Sequence, residues 1–551
     1  MSEYKNSEQH VSELWQMFRR GREYQTARGL SRTLPLCVKF YEGDQWAPPT
    51  RNTRNLPRPV VNITKMICRS KKSAILASPM RILYRSYDKG VDTARLNRFA
   101  EYIQKELGQD ELDRRGIDCA VKKGTYIYHY YWDADARGIK GRAGGALRGE
   151  LLEPLNVFFA DPCEIDEQKQ AWILIATRES VDTVRKMCED EASRAAVSAD
   201  SEDDPYHTKE ARGSDLVTVL TRYFRKDGEV WAERATKSVS LGSPFPITPD
   251  PIRMRKRIED PALSGLPERT VAATEEQSPR PRHARATLYP IVVGQYEARE
   301  GCIYGLGEVE GIIPNQRAIN FNLAMMLLSA QENGWGKYIV GKDALRGQVI
   351  TNEPGQVLTD HTPGGGGIRR LSDHALPAAP MQIVEALTSL TRTVTGAGEV
   401  MTGEVLASNM SGAAIAQLQT QALRPVEELR RAFRKVKEKQ GLVLSQFFRL
   451  YYTESPYPEE DSPDGYALFD SAPFSEAELE VSVEAVGGTN ASAAGDINAL
   501  DVALSKGAIS LHTYFELYPS DALSNRREIL AALEREGERA MLSAQMPESG
   551  L

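Results

Sequence analysis

Eight residues, GEVMTGEV (398–405), carry the pattern nearest to a phosphate-binding loop in this chain. Gly398 and Gly403 stand where G-x-x-x-x-G-K-[ST] needs its two glycines, just ahead of a helical pattern. The lysine of that motif neutralises phosphate and the hydroxyl ligates magnesium. Glu404 and Val405 occupy those positions, so the loop would repel a nucleotide, and it is preceded by a helical stretch with Arg392 and Thr393 instead of a buried strand. The second glycine cluster, PGGGG (363–367), lacks both the lysine and a following helix and reads as a turn.

Other chemistry finds no foothold. There is no G-x-S-x-G, H-E-x-x-H or paired-aspartate metal motif. The carboxylate runs Glu427-Glu428 and Glu459-Glu460-Asp461 sit in charge-rich faces or loops. Cys37, Cys68, Cys119, Cys163, Cys188 and Cys302 form no C-x-x-C pair and read as reduced, packed thiols. The seven histidines are equally dispersed, without zinc spacing. We therefore expect no catalytic residue, no cofactor and no metal, and read the chain as not an enzyme.

The elements that position the glycine loop must come from several domains, because 551 residues exceed one ordinary core. With 41% hydrophobic and 26% charged residues the composition is globular. A net charge of −7 argues against a broad basic surface that coats DNA, though not against DNA passing nearby. The polar start MSEYKNSEQH has no signal-peptide core. The longest apolar run, AINFNLAMMLLSAQ (318–331), falls short of the roughly 20 residues of a membrane span. No membrane association is expected.

Periodicity sets an α+β order. A helix is expected over 11–25, capped at Ser12, with Leu14, Met17 and Phe18 on one face. Another covers 58–79 with Ile63, Ile67 and Ile75 inward; its basic residues 69–72 read as a solvated face before a nucleic-acid contact. Helix continues over 95–123, then strands at 125–135, 149–162, 171–179 and 215–235, the last folded at Asp227-Gly228. Residues 240–287, rich in proline and charge, read as an exposed excursion, with RMRKR more a solvated loop than a phosphate contact.

From Glu308 a helix runs to Asn333-Gly334, with Val309, Ile312, Ile319, Leu323, Met326 and Ala330 as its apolar stripe. A small β-rich module comes next (GKYIVG, GQVLTD, GGIRRLS), then an antiparallel helix at 379–396. After the glycine loop, one helical pattern runs from 411 to 452 with Ile415, Leu418, Ala422, Leu429, Phe433, Val436, Val443 and Phe447 on one face. Pro425 inside it predicts a kink. An acidic loop (454–478), a strand at 478–486, a helical segment closed by Gly507 and helices at 510–518 and 525–542 complete the chain.

This order, with the segments FYEGDQW, RPVVNITKMI, LLEPLNVFFADP, YPIVVGQYEAREGCIYGLGEVEGIIPNQRAIN and GAISLHTYFELYP, resembles a tailed-bacteriophage portal protein over nearly the whole length. The resemblance implies a multi-domain α+β fold: a wing (1–304, carrying the excursion 240–287), stem helices (305–333 and 379–395) and a small β-rich clip (334–378). It further implies a tunnel loop (396–410), a long kinked helix with a closing wing strand (411–488) and a helical crown (489–551). The excursion departs from the family pattern.

The function implied by the resemblance is that of a ring, of about twelve subunits in the family, at one capsid vertex of the virion, assembled in the host cytoplasm. Double-stranded DNA would enter and leave through its channel. The terminase large subunit would dock on the clip, succeeded by head-completion or adaptor proteins, while major capsid and scaffolding proteins surround the ring. Residues facing DNA would be Gly398, Glu399, Met401, Gly403, Glu404, Ser408 and Asn409, the two glutamates keeping the channel weakly repulsive. Small residues there, with Ala407 and Gly412, would let the loop move. Docking residues on the clip would be Trp335, Lys337, Tyr338, Arg346, Arg369 and Arg370. Ser389, Thr391 and Thr395 would give the second stem helix a small polar face, and apolar stem stripes would meet neighbouring subunits. Two other readings compete: a different oligomeric head–tail component, which would lack the helix–module–helix order, and a nucleotide-driven motor, which the missing lysine disfavours.

Overall fold

The computed structural model describes residues 7–51, 53–77, 79–88, 91–134, 136, 145–188, 190–200, 215–248, 285–334, 338–350, 357–364, 366–370, 379–397, 421, 424–452, 455–459, 466–474, 477–485, 490–518, 529, 532–533 and 535. Mixed helix and strand pack as apolar helix stripes laid on the faces of small antiparallel sheets. Helix α1 (Ser7–Ala27) buries Val11, Leu14, Trp15 and Phe18 at three- and four-residue steps. It starts before Ser12, which is an exposed interior residue and not the cap expected.

Next come α2 (Leu30–Glu42), closed by left-handed Gly43, and α3 (Ile63–Leu76), capped by Asn62. Strand β1 (Met80–Ser86) is the next element, with no counterpart in the sequence reading. The helical stretch at 95–123 is two helices, α4 (Thr93–Glu106) and α5 (Gln109–Lys123), because Gly108 between them adopts φ 63°.

Two sheets then form. Strands β2 (Thr125–Asp133) and β3 (Ala146–Leu152) begin the first. The single strand expected at 149–162 is instead broken at Pro154, and β4 (Val157–Phe159) belongs to the second sheet. That sheet adds β5 (Trp172–Ser180); helices α6 (Val181–Met187) and α7 (Glu191–Ala196) lead to β6 (Leu216–Lys226), β7 (Glu229–Ala235) and β8 (Phe245–Pro246). Asp227 and Gly228, both at positive φ (53° and 78°), make the β6–β7 turn as expected. Strand β9 (Ile291–Gln295) completes the order β3-β2-β9 beside β4-β5-β6-β7-β8, and β10 (Glu297–Arg299) pairs with β11 (Cys302–Leu306). His129 of β2 joins the sheets, 2.8 Å from both Glu150 and the Tyr223 hydroxyl of β6.

The excursion leaves and returns at one point. Ile247 N donates to Val230 O, Val230 N to Ala286 O, and Ala286 N to Thr248 Oγ1 at 3.0 Å. It is thus an insertion at the sheet edge; residues 249–284 and their RMRKR cluster lie outside the described residues.

Helix α8 (Glu308–Gly334) runs to a ribbon of two short strands, β12 (Tyr338–Val340) and β13 (Ile368–Arg370), and α9 (Ala379–Val394) runs back. Of the third strand expected in the module, GQVLTD, the described part (357–360) is not strand. Helix α10 (Arg424–Tyr451) enters the main body, and β14 (Ser455–Pro458) and β15 (Tyr466–Phe469) form a hairpin where a loop was expected. Then β16 (Leu479–Ala485) pairs along β1, Met80 opposite Ala485. Helices α11 (Asn490–Ser505) and α12 (Leu511–Leu517) come last; the helix expected at 525–542 lies almost wholly outside the described residues.

Helix α10 is the axle of the largest core. Phe433, Val436, Val443, Leu444, Phe447 and Phe448 pack with Phe99, Tyr126, Tyr128 and Tyr84. At Gly441 it crosses the β1–β16 ribbon so closely that an added Cβ would lie 2.5 Å from Val481 and 2.8 Å from Ile82. Lys437 of the same helix is buried in an ion pair with Asp113 of α5, whose carboxylate also accepts from Gln109 and Tyr128. A buried charge of this kind survives only when paired and hydrogen-bonded.

Candidate functional site

The glycine loop follows α9 in the chain, so the contacts that fix the α8–α9 hairpin set where the loop begins. Glu308, in the first turn of α8, accepts from Lys71 Nζ and from the Tyr296 hydroxyl, both at 2.7 Å and largely buried. Burial pushes the Tyr296 hydroxyl well up from its ordinary range, and the Glu308 charge adds to this. Lys72 meets Asp118 at 3.0 Å. Burial raises the Asp118 carboxyl, but hydrogen bonds from Lys122 and Lys72 outweigh it and hold the group below its ordinary value. The basic run 69–72 is therefore not the solvated face expected: Lys71 and Lys72 are taken up internally, which leaves Arg69 outside.

Two turns further, Gln316 is fully buried and caps a different helix. Its Oε1 accepts from Ile63 N (3.1 Å), Thr64 N (3.2 Å) and the Thr64 hydroxyl, while Asn62 takes Lys65 N at 2.9 Å. Three of the four N–H groups that α3 cannot satisfy internally are thereby met. Gln316 Nε2 donates to Val61 O and Asn320 Oδ1, Asn320 Nδ2 donates to Gln45 Oε1, and Gln45 Nε2 to Phe40 O. A continuous amide relay bolts α8 to α2 and α3. In the sequence Asn320 shows only as an interruption of an apolar run, and Gln316 does not stand out; two amides four apart beside that run were the available signal.

Helix α9 is held more lightly. Ile312, Ile319 and Val384 share an apolar cluster with Ile63 and Ile67, and Asn315 Nδ2 donates to the Thr391 hydroxyl at 3.0 Å. Ser389 is exposed, Thr391 buried and Thr395 half-buried, so they do not form the common polar face expected. The step of two from Ser389 to Thr391 turns their side chains about 200° apart on a helix. Outward, α8 shows Phe321, Met325 and Leu327, and α9 shows Met381, Ile383, Leu390 and Val394, with Leu390 59% and Val394 84% exposed. The stripe of α8 is buried at Val309, Ile312 and Ile319, half-buried at Leu323 and Met326, and exposed at Ala330.

The ribbon brings together part of the expected docking set. Tyr338 stands opposite Arg370 and Ile339 opposite Arg369, and Tyr338, Arg369 and Arg346 are exposed, Arg346 at φ 40°. Asp360 ties the connecting loop, accepting from Thr362, from Gly366 N (2.9 Å) and from Gly367 N (2.8 Å). Trp335 and Lys337 lie outside the described residues, as do Gly398, Glu399, Met401, Gly403, Glu404, Ser408 and Asn409. So do Ile415, Leu418 and Ala422 of the long helical face. Pro425 is the second residue of α10, residue 421 is helical as well, and residues 422 and 423 between them, where the kink was expected, lie outside the described residues.

All six cysteines are free, and among the described residues no cluster of His, Cys, Asp or Glu has metal-site geometry. No described helix is long and apolar enough to cross a membrane. No curated protein sequence matches the chain. The family model of the phage P22-like portal protein does match it, over residues 17–456, from within α1 through the hairpin, the ribbon and α10 into β14. That family is structural: its members are oligomeric ring components of the tailed-phage capsid and work with terminase and capsid proteins in DNA packaging. A match over four-fifths of the length means that the chain belongs to the P22-like phage portal protein family.

Proposed function

We propose that this chain assembles into a closed ring whose hairpins α8 and α9 form a stem around a channel for double-stranded DNA. The observation that carries this is the apolar outer surface of the hairpin. Phe321, Met325, Leu327, Leu390 and Val394 are exposed among the described residues, while α8 is bolted to the body by a buried polar relay and holds α9 against it. A surface so apolar on a rigid mount fits burial against neighbouring copies. In this reading residues 1–304 with β16 form the wing, 334–378 the clip and 489–551 the crown. The clip docks the terminase large subunit during packaging and head-completion proteins afterwards, through Tyr338, Arg346, Arg369 and Arg370 with Trp335 and Lys337.

The loop 396–410 lines the narrowest part of the channel. At its narrowest point a conduit must not bind DNA tightly, since each neutralised phosphate there adds salt-dependent affinity. Glu399 and Glu404 supply weak repulsion, and the glycines let the loop yield. Negative-stain microscopy of the purified protein tests the ring: closed particles with a central hole are expected, and monomers would overturn the reading. Glu404→Lys should keep the ring and impair packaging or retention of DNA; normal packaging by that variant would remove Glu404 from the channel.

A further inference from the structure

Between Asp44 and Asp88 the chain has nine lysines and arginines and no carboxylate. Four of these cations are matched from elsewhere in the fold: Lys71 by Glu308, Lys72 by Asp118, Arg81 by Glu101 and Arg85 by Glu484. Arg51, Arg54, Arg58, Lys65 and Arg69 meet no carboxylate among the described residues, and the four arginines are exposed. The first three sit on the turn between α2 and α3, which is braced by Trp46 Nε1 donating to Pro59 O at 3.0 Å and by Arg58 donating to Ala47 O. Pro48, Pro49, Pro57 and Pro59 stiffen it further. Arg317 of α8 adds a fifth exposed cation beside Gln316, the residue that caps α3, with its guanidinium 5.2 Å from the Phe40 ring centroid.

We infer that this turn, at the foot of the hairpin, is a contact surface for the sugar–phosphate backbone of double-stranded DNA. Three arginines on a braced turn lose little freedom on binding; Arg51 and Arg54 can each match a phosphate bidentately, and Arg58, with one N–H on Ala47 O, keeps its remaining N–H groups for another. An interface for an acidic protein would need an aromatic or aliphatic anchor among the charges. The one aromatic of the turn, Trp46, is instead spent on the Pro59 carbonyl, and its exposed aliphatics, Val60 and Val61, are small and follow the three arginines in the chain instead of lying among them. The surface carries no base-reading group and positions DNA without regard to sequence. The inference rests on family membership for the identity of the anion and is independent of the acidic loop at 398–405.

The test is binding of a short labelled DNA duplex to the full-length protein over a range of salt, monitored by fluorescence anisotropy. Arg51→Ala/Arg54→Ala/Arg58→Ala should bind about tenfold more weakly at low salt. Its log–log salt slope should be shallower by about 3, at roughly 0.9 for each phosphate no longer neutralised. The charge-preserving Arg51→Lys/Arg54→Lys/Arg58→Lys should keep the slope. An unchanged slope in the alanine variant would overturn the inference, as would absence of salt-dependent binding by the unaltered protein. Loss of rings in the alanine variant alone would also overturn it, by making the turn a subunit contact. Rings in every variant with unchanged DNA binding would sink this surface and leave the ring reading standing, whereas no rings from the unaltered protein would sink the ring reading.

Discussion

The body around α10 and the α8–α9 hairpin handle apolar surface in opposite ways. In the body, Phe99 is fully buried, stacks on Phe469 at 3.9 Å and meets Phe448, Tyr452 and Tyr457 edge-on at 5.3–5.7 Å. On the hairpin, Phe321 is 52% exposed and Val394 more so, although both helices are regular. Inward-facing hairpin positions such as Ile312 and Ile319 are as well buried as any in the body. The hairpin is therefore not a loosely folded arm. One of its faces is finished by its own chain and the other leaves a series of large apolar side chains exposed, whereas in the body such side chains, Leu442 of α10 among them, are scattered around a closed aromatic core.

The largest test of this contrast is Phe99→Ala, which removes a ring touching four others. Loss of its transfer energy plus the cavity left behind should cost about 3–5 kcal/mol in denaturation monitored by near-ultraviolet circular dichroism. A cost under about 1 kcal/mol would mean that the body is less finished than its packing indicates. Gln316→Ala, at the joint, should cost about 2 kcal/mol, since Ile63 N and Thr64 N lose their acceptor and Asn320 its donor. Gln316→Glu should recover part of this, because a carboxylate still accepts from the helix N-terminus but cannot donate to Val61 O. No recovery would show the donor side of the relay to matter more.

On the hairpin the same measurement should register almost nothing. Leu390→Ser/Val394→Ser should leave the stability of the unassembled chain within about 0.5 kcal/mol, as for exposed sites free of special contacts. Sedimentation should at the same time show assembly shifted toward smaller species. Unchanged assembly would mean that this face is not where copies meet, and the contrast between the regions would lose its functional sense.

Legibility in the sequence tracks the range of the interactions. The Asp227-Gly228 turn and the α8–α9 pair are readable because their signals are local: two positive-φ positions, and a stripe repeating every three or four residues. Strand β1 escapes because Leu83 breaks the short alternation of Met80, Ile82 and Tyr84 with Arg81 and Arg85, and because its pairing partner β16 comes some four hundred residues later. Pro456 and Pro458 make 454–478 look like loop, yet a two-stranded hairpin has free edges where a missing N–H costs no ladder bond. Lys71 and Lys72 read as surface charge because Glu308 and Asp118 approach from other helices. Gln316 is invisible as a cap for the same reason: it serves a helix some 250 residues away. Of the site, periodicity shows the mount but not the tertiary bolts that hold it.

The ribbon marks the weak end of the comparison, since a single carboxylate takes the place of a core. The Thr362 hydroxyl and then the N–H groups of Thr362, Gly367 and Gly366 hold Asp360 down to about 2, from an ordinary 3.8. A carboxyl depressed on folding stabilises the loop fully above its unfolded value and loses that stabilisation as pH falls toward the folded one. Protection of the Gly366 and Gly367 amides from hydrogen exchange, corrected for intrinsic rates, should therefore hold from neutral pH to about 4 and fall away between about 4 and 2. Asp360→Asn should show the same loss of protection at neutral pH with the rest of the chain unaffected, because its uncharged amide offers one acceptor oxygen where the carboxylate offers two. Full protection of both glycines in that variant would mean that β12 and β13 hold the loop by themselves, and the ribbon would then belong with the body as a finished element.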